Sequence, residues 1–109
     1  MVIVFNNKNF SAKDMDVNAE RVARFLKSIA NHVRLRVLCA LMGGEKSAGE
    51  LSREIGISQP NLSQHLSWLK NEDLVGTRRD GTTIHYRLTD TQIQPLMQAL
   101  HDMFYRADH

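Results

Sequence analysis

Apolar residues recur along this chain at two periods, and the change of period divides it into elements. Val22, Phe25, Leu26 and Ile29 stand at i, i+3, i+4 and i+7, which predicts an amphipathic helix from about Asp16 to Ser28. A second helix starts near Asn31 or His32 and carries Val33, Leu35, Val37, Leu38, Cys39, Leu41 and Met42. Apolar residues surround it almost completely, so it is expected to be the central buried helix, ended by Gly43-Gly44. Ser47-Ala48-Gly49-Glu50 then reads as a capping box, with a hydroxyl at the N-cap and a carboxylate three residues on. Leu51 and Ile55 repeat at i and i+4, and Gly56 stands where a helix end needs positive φ. Ser58 can cap a further helix, with Pro60 in the first turn, where a missing N–H costs little. Leu62, Leu66 and Leu69 are its buried stripe, and Asn71-Glu72-Asp73 ends it, Asp73 being tolerable in a left-handed turn.

From Val75 to Leu88 the period becomes two. A hairpin with Asp80-Gly81 as its two-residue turn pairs Arg79 with Thr82, Thr77 with Ile84 and Val75 with Tyr86 on one face. Arg78, Thr83, His85 and Arg87 fall on the other. A last helix begins between Thr89 and Gln94, its start blurred by Pro95, and runs to about Arg106 with Ile93, Leu96, Met97, Leu100 and Phe104 as its stripe. The predicted class is mainly α with a small β-hairpin, in the order helix, helix, helix-turn-helix, wing, helix: a winged helix-turn-helix.

The outer face of the helix starting at Ser58 gives this scaffold its chemistry. Gln59, Asn61, Ser63, Gln64 and His65 are amide, hydroxyl and imidazole groups, where an ordinary solvated face favours charged helix formers. Gln59, Asn61 and Gln64 each offer a donor and an acceptor, suited to adenine or to water-bridged contacts, and Ser63 suits a base or a phosphate. The plainer reading is that one or two of them read bases while the rest hold the backbone, and His65 can equally pack at the motif's edge. Trp68, a turn beyond Gln64, is expected in the core. Arg78 and Arg79 are placed at the wing tip to enter or flank a minor groove, unless they are merely exposed arginines on a soluble hairpin. A monomer reads few base pairs, so specificity implies a homodimer on a palindrome with half-sites about 10 base pairs apart. The first and last helices, with apolar stripes in excess of what one protomer needs, are the expected interface.

At 109 residues and 42% hydrophobic, the chain is expected to be one domain over residues 15–109, behind a loose tail over residues 1–14. A net charge of +2 is weak evidence for nucleic acid, so distribution matters more. Arg21, Arg24, Lys27, Arg34 and Arg36 cluster in the first two helices, either as a solvated face or as phosphate contacts. One cysteine excludes an internal disulfide, and no segment reads as a signal peptide or membrane span, which places the protein in the cytoplasm, on the chromosome. No nucleophile elbow, phosphate loop or metal-ligand cluster is present, and five histidines scattered over different elements make no catalytic site.

Asn31-His32-Val33-Arg34-Leu35-Arg36-Val37-Leu38 and Leu62-Ser63-Gln64-His65-Leu66, in this order of elements, resemble the ArsR/SmtB family of bacterial regulators over about residues 16–106. The resemblance implies a homodimeric repressor, usually released from its operator by a metal or an oxidant. The positions matching the arsenic-type cysteines are Ser47, Gly49 and Ser52, and those matching the zinc-type ligands are Asp90, Gln92, Met103 and Arg106, so no resident metal or other cofactor is expected. His101, Asp102 and His109 at the chain's end make a poor alternative. The nearest branch is the BigR/HlyU-like, sulfide- and redox-responsive one, which carries a cysteine in the second helix, as Cys39 stands here. Its second cysteine falls where this chain has Tyr105, so the usual bridge cannot form. Cys39 is expected either as a small core residue or as a thiol oxidised or persulfidated alone. Regulation is by repression or by anti-repression, in competition with another DNA-binding protein. The alternative from another class is a winged-helix interaction module that does not read DNA; against it, an interaction helix would expose apolar anchors.

Overall fold

The computed structural model describes residues 12–105, without the side chains of 12 and 14–17. The elements in order are α1 (Ala12–Ile29), α2 (His32–Leu41), β1 (Lys46–Ser47), α3 (Ala48–Ile55), α4 (Gln59–Asn71), β2 (Val75–Asp80), β3 (Thr83–Leu88) and α5 (Ile93–Tyr105). Helix α1 starts earlier than the apolar stripe suggests, taking in residues 12–14 of the expected tail. Residues 1–11, Arg106 and His109 fall outside the described residues.

The start of α2 and both ends of α3 and α4 have local chemical causes. The Asn31 side chain accepts from the backbone N–H of Val33 at 2.9 Å and of Arg34 at 3.1 Å, opening α2. Ser47 and Glu50 form the reciprocal capping box at 3.1 and 3.0 Å, opening α3. Gly56 closes α3 in the left-handed region at φ 80°, with its N–H on the Ser52 carbonyl. Ser58 opens α4, and Asp73 turns the chain away from it at φ 61°.

Leu51, Leu62, Leu66 and Leu69 are sequestered together with Val37 and Leu38, so α3 and α4 are both seated on α2. Ile93 and Met97 bring the start of α5 to the same core. Helix α2 is central, packing against α1, α3, α4 and β3, but it is not buried all round. Val33, Val37, Leu38 and Leu41 face inward, whereas His32, Arg36 and Cys39 are exposed. An apolar composition on every side does not supply a packing partner on every side.

The wing shows both the strength and the limit of reading register from sequence. The observed pairs are Val75 with Leu88, Thr77 with Tyr86, Arg79 with Ile84 and Asp80 with Thr83, two residues away from the expected register. A shift of two preserves which side chains share a face, so Arg78, His85 and Arg87 are still opposite Thr77 and Tyr86. The loop is therefore Gly81-Thr82 rather than Asp80-Gly81, with Gly81 at φ 65° in the first loop position, where a one-glycine hairpin turn needs it. A further strand, β1, pairs Lys46 with Tyr86 and Ser47 with His85, completing a sheet of order β1-β3-β2. Two residues are too short to show a period.

Leu62, on α4, is a member of the core cluster at 0% exposure. Leu62→Ala is expected to lower the unfolding free energy by about 2–5 kcal/mol in urea titration. A loss below 1 kcal/mol would show that α4 is not seated through this side chain.

Candidate nucleic-acid interface

With its leucine stripe turned inward, α4 presents Gln59, Asn61, Ser63 and Gln64 to solvent. Among the described residues, no intramolecular side-chain hydrogen bond engages these four, so their donors and acceptors are available. The first turn carries no acidic residue, which leaves the positive end of the helix dipole open toward a phosphate. His65 belongs partly to the interior. Burial, followed by the charges of Arg34 and His32, pushes its imidazole below the ordinary histidine range, favouring the neutral form.

Behind α4 lies a contact that the sequence pattern did not reveal. The Arg34 guanidinium stacks over Trp68 at 4.8 Å, while its Nε donates to the Ser28 carbonyl at 2.6 Å and its Nη2 to the Lys27 carbonyl at 3.1 Å. One side chain thus links the C-terminal end of α1 to the rear of α4. Trp68 is not a core residue as expected; it is 39% exposed, with the Arg34 guanidinium over its ring. Other members of the basic cluster also have structural partners. Arg36 Nη2 donates to the Ile55 carbonyl at 2.6 Å, at the negative end of α3, and Arg24 pairs with Glu72 at 2.8 Å. Arg21 and Lys27 are exposed.

The two arginines at the wing tip, Arg78 and Arg79, differ. Arg79 is exposed and has no ion pair among the described residues. Arg78, on the other face of the hairpin, donates from Nε at 3.0 Å and Nη2 at 2.6 Å to the same oxygen of Glu45. That hydrogen bond holds the Glu45 carboxyl below its usual range, and the same bond raises Arg78. Nothing in a sequence separation of 33 residues signals this pair.

Cys39 is exposed rather than a packed core residue. It faces a 620 Å³ cavity between α2 and α5, with Leu35, Met42, Met97, Leu100 and Phe104 among the walls. The positions matching known metal ligands have other work: Ser47 caps α3, Ser52 donates to the Ile57 carbonyl, and Asp90 accepts from the Gln92 N–H at 2.7 Å. Among the described residues, no three His, Cys, Asp or Glu side chains are grouped to hold a metal ion. Among the described residues, no helix is long and apolar enough to cross a membrane.

A polar-faced second helix seated by leucines, flanked by a basic hairpin, defines a winged helix-turn-helix DNA-binding protein. The chain belongs to the arsR family of bacterial regulatory proteins, whose signature it matches over residues 31–77. It is 43% identical to the biofilm growth-associated repressor of Xylella fastidiosa, covering 88% of this chain and 84% of that protein. It is 38% identical to the transcriptional activator HlyU of Vibrio cholerae, covering 88% and 89%. The crystal structure of the repressor BigR from Xylella fastidiosa superimposes with a TM-score of 0.83 over 87% of this chain and 97% of that one. Reduced HlyU from Vibrio cholerae superimposes with a TM-score of 0.79 over 84% and 97%. The relatives place the chain in the BigR/HlyU-like branch, and its function is that of a DNA-binding transcriptional regulator.

The lowered pKa of the partly buried His65 has a consequence for acid stability. Its folded pKa lies below the unfolded value of 6.5, so its stabilising contribution is complete above that pH and is lost as pH falls below it. Thermal unfolding of His65→Gln is expected to decline less than wild type between pH 6.5 and the acid side of that value. Parallel declines would mean that His65 titrates alike in both states.

Proposed function

We propose that the protein acts as a homodimer on an imperfect palindrome, with α4 of each protomer in a major groove and the wing beside the adjoining minor groove. The single observation that carries this reading is the unengaged polar face of Gln59, Asn61, Ser63 and Gln64 on a helix whose opposite face is locked by leucine. Gln59, Asn61 and Gln64 supply paired donors and acceptors for base edges, Ser63 and the α4 N-terminus grip phosphate, and His65 supports the helix from its edge. Arg79 is the available cation of the Arg78-Arg79 pair at the wing tip. Regulation is by occupancy: repression where the operator overlaps a promoter, anti-repression where binding displaces another DNA-binding protein. Its place is the cytoplasm, on the chromosome, and no catalytic step is assigned.

Dimerisation is supported by what α1 and α5 leave uncovered. Leu26 is 49% exposed, Phe104 68% and Tyr105 58%, with Val22 and Met103 beside them. A second copy covering these faces would remove a large apolar patch from water and set the two α4 helices about one DNA turn apart.

A second reading adds a redox input. Its support is that the Cys39 thiol is exposed at an apolar cavity shared by α2 and the proposed dimer helix α5. Oxidation or persulfidation there would place a polar group between the two helices. Unchanged operator affinity of both wild type and Cys39→Ser under peroxide or polysulfide excludes it.

Two measurements test the main reading. Gln64→Ala is expected to cost about 1–3 kcal/mol of operator affinity, with little change on non-operator DNA, in a gel-shift titration at fixed salt. Equal losses on both DNAs would reduce Gln64 to a backbone contact. In sedimentation equilibrium, Phe104→Lys is expected to shift dimer to monomer and to abolish operator binding at nanomolar protein. A dimer of wild-type strength would remove α5 from the interface.

A further inference from the structure

The outer face of the wing carries Arg78, His85 and Arg87, and the Arg87 guanidinium lies across Gly76, where an added Cβ would come within 3.4 Å of it. This is the outline of a phosphate clamp, yet a carboxylate already stands in it. Glu45, from the turn between α2 and β1, receives both Arg78 donors on Oε1, with His85 and Arg87 near enough to act on its charge. The fork that holds this carboxylate is the one an arginine uses for a phosphate oxygen, so Arg78 cannot serve both fully. Asp80 lies near enough to add a second negative charge on the Arg78 side. Arg79, by contrast, has no competing acid among the described residues.

We propose that Glu45 is an internal substitute for a DNA phosphate, withholding Arg78 from DNA and thereby limiting the protein's hold on non-operator sequence. The inference rests on the DNA-binding reading of the wing. An unpaired Arg78 would add a sequence-independent attraction present at every site in a genome. Such a contact strengthens competing sites, which are far more numerous than operators. Keeping Arg78 neutralised while Arg79 stays free lets the wing tip steer with one fewer sequence-independent attraction. The pair also ties the hairpin to the α2–β1 turn, so charge and tether must be separated experimentally. Glu45→Gln retains one oxygen acceptor for Arg78 and removes the charge, an NH2 group replacing the second oxygen.

The test is the salt dependence of affinity for a random-sequence duplex, measured by fluorescence anisotropy with the full chain between 50 and 200 mM salt. The slope of log affinity against log salt is expected to steepen by about 0.9 in Glu45→Gln for each wing engaged, an additional roughly 3- to 4-fold loss across that range. Arg78→Ala alone is expected to leave the slope near wild type, while Arg79→Ala lowers it by about 0.9. Combined with Arg78→Ala, Glu45→Gln should give no gain. The proposal is overturned if Glu45→Gln leaves the slope unchanged, or if its gain survives without Arg78. With wild type binding DNA, either result rejects the role of Glu45 alone; absence of salt-dependent binding by every variant rejects the wing reading as well.

Discussion

The structure depends on one packing constraint: the leucines of α3 and α4 share one buried core with Val37 and Leu38 of α2, against which both helices pack. Leu62, Leu66 and Leu69 lie on one side of a thirteen-residue helix, so burying them fixes the rotation of α4 about its axis. That rotation in turn decides which residues face outward. The polar groups of Gln59, Asn61, Ser63 and Gln64 need no structural partner of their own, because the apolar contact on the far side has already oriented them. Binding chemistry and folding energy are thus carried by different faces of the same helix, and the polar face can change its sequence preference without disturbing the core.

Electrostatics adjusts this frame at its margins. Arg34 connects α1 to Trp68 on α4, and Arg36 closes the end of α3, so two of the basic residues hold helices in place. In the wing, the pairing of Arg78 with Glu45 and the exposure of Arg79 give two adjacent arginines unlike electrostatic surroundings. The net charge of +2 consequently says little about the local field, which follows from which arginines are paired.

Much of the fold was legible because its determinants are local. The capping box at Ser47 and Glu50, the left-handed Gly56 and Asp73, and the apolar periods of α3 and α4 all appear within a few residues of one another. The hairpin faces were legible too, although the register was displaced by two because Asp80-Gly81 and Gly81-Thr82 both offer a glycine to the turn. Features created by tertiary contact were not legible. Strand β1 exists only as a partner of β3, the Arg78–Glu45 pair spans 33 residues, and Trp68 is held at the surface by an arginine from another helix. Cys39 shows the same limit: an apolar neighbourhood in sequence suggested burial, but α5 leaves a cavity beside it. Of the recognition face, the residue types and their helical placement were evident from sequence. The partial burial of His65 required the packed structure.

The central claim is that the outward face of α4 reads sequence, two copies at a time. Its most direct test is selection of genomic fragments by purified protein at fixed, stated salt. The account predicts enrichment of an imperfect palindrome whose half-sites are separated by about one helical turn, 10 base pairs. Recovery of fragments without a shared motif, in amounts that collapse as salt is raised, would contradict it.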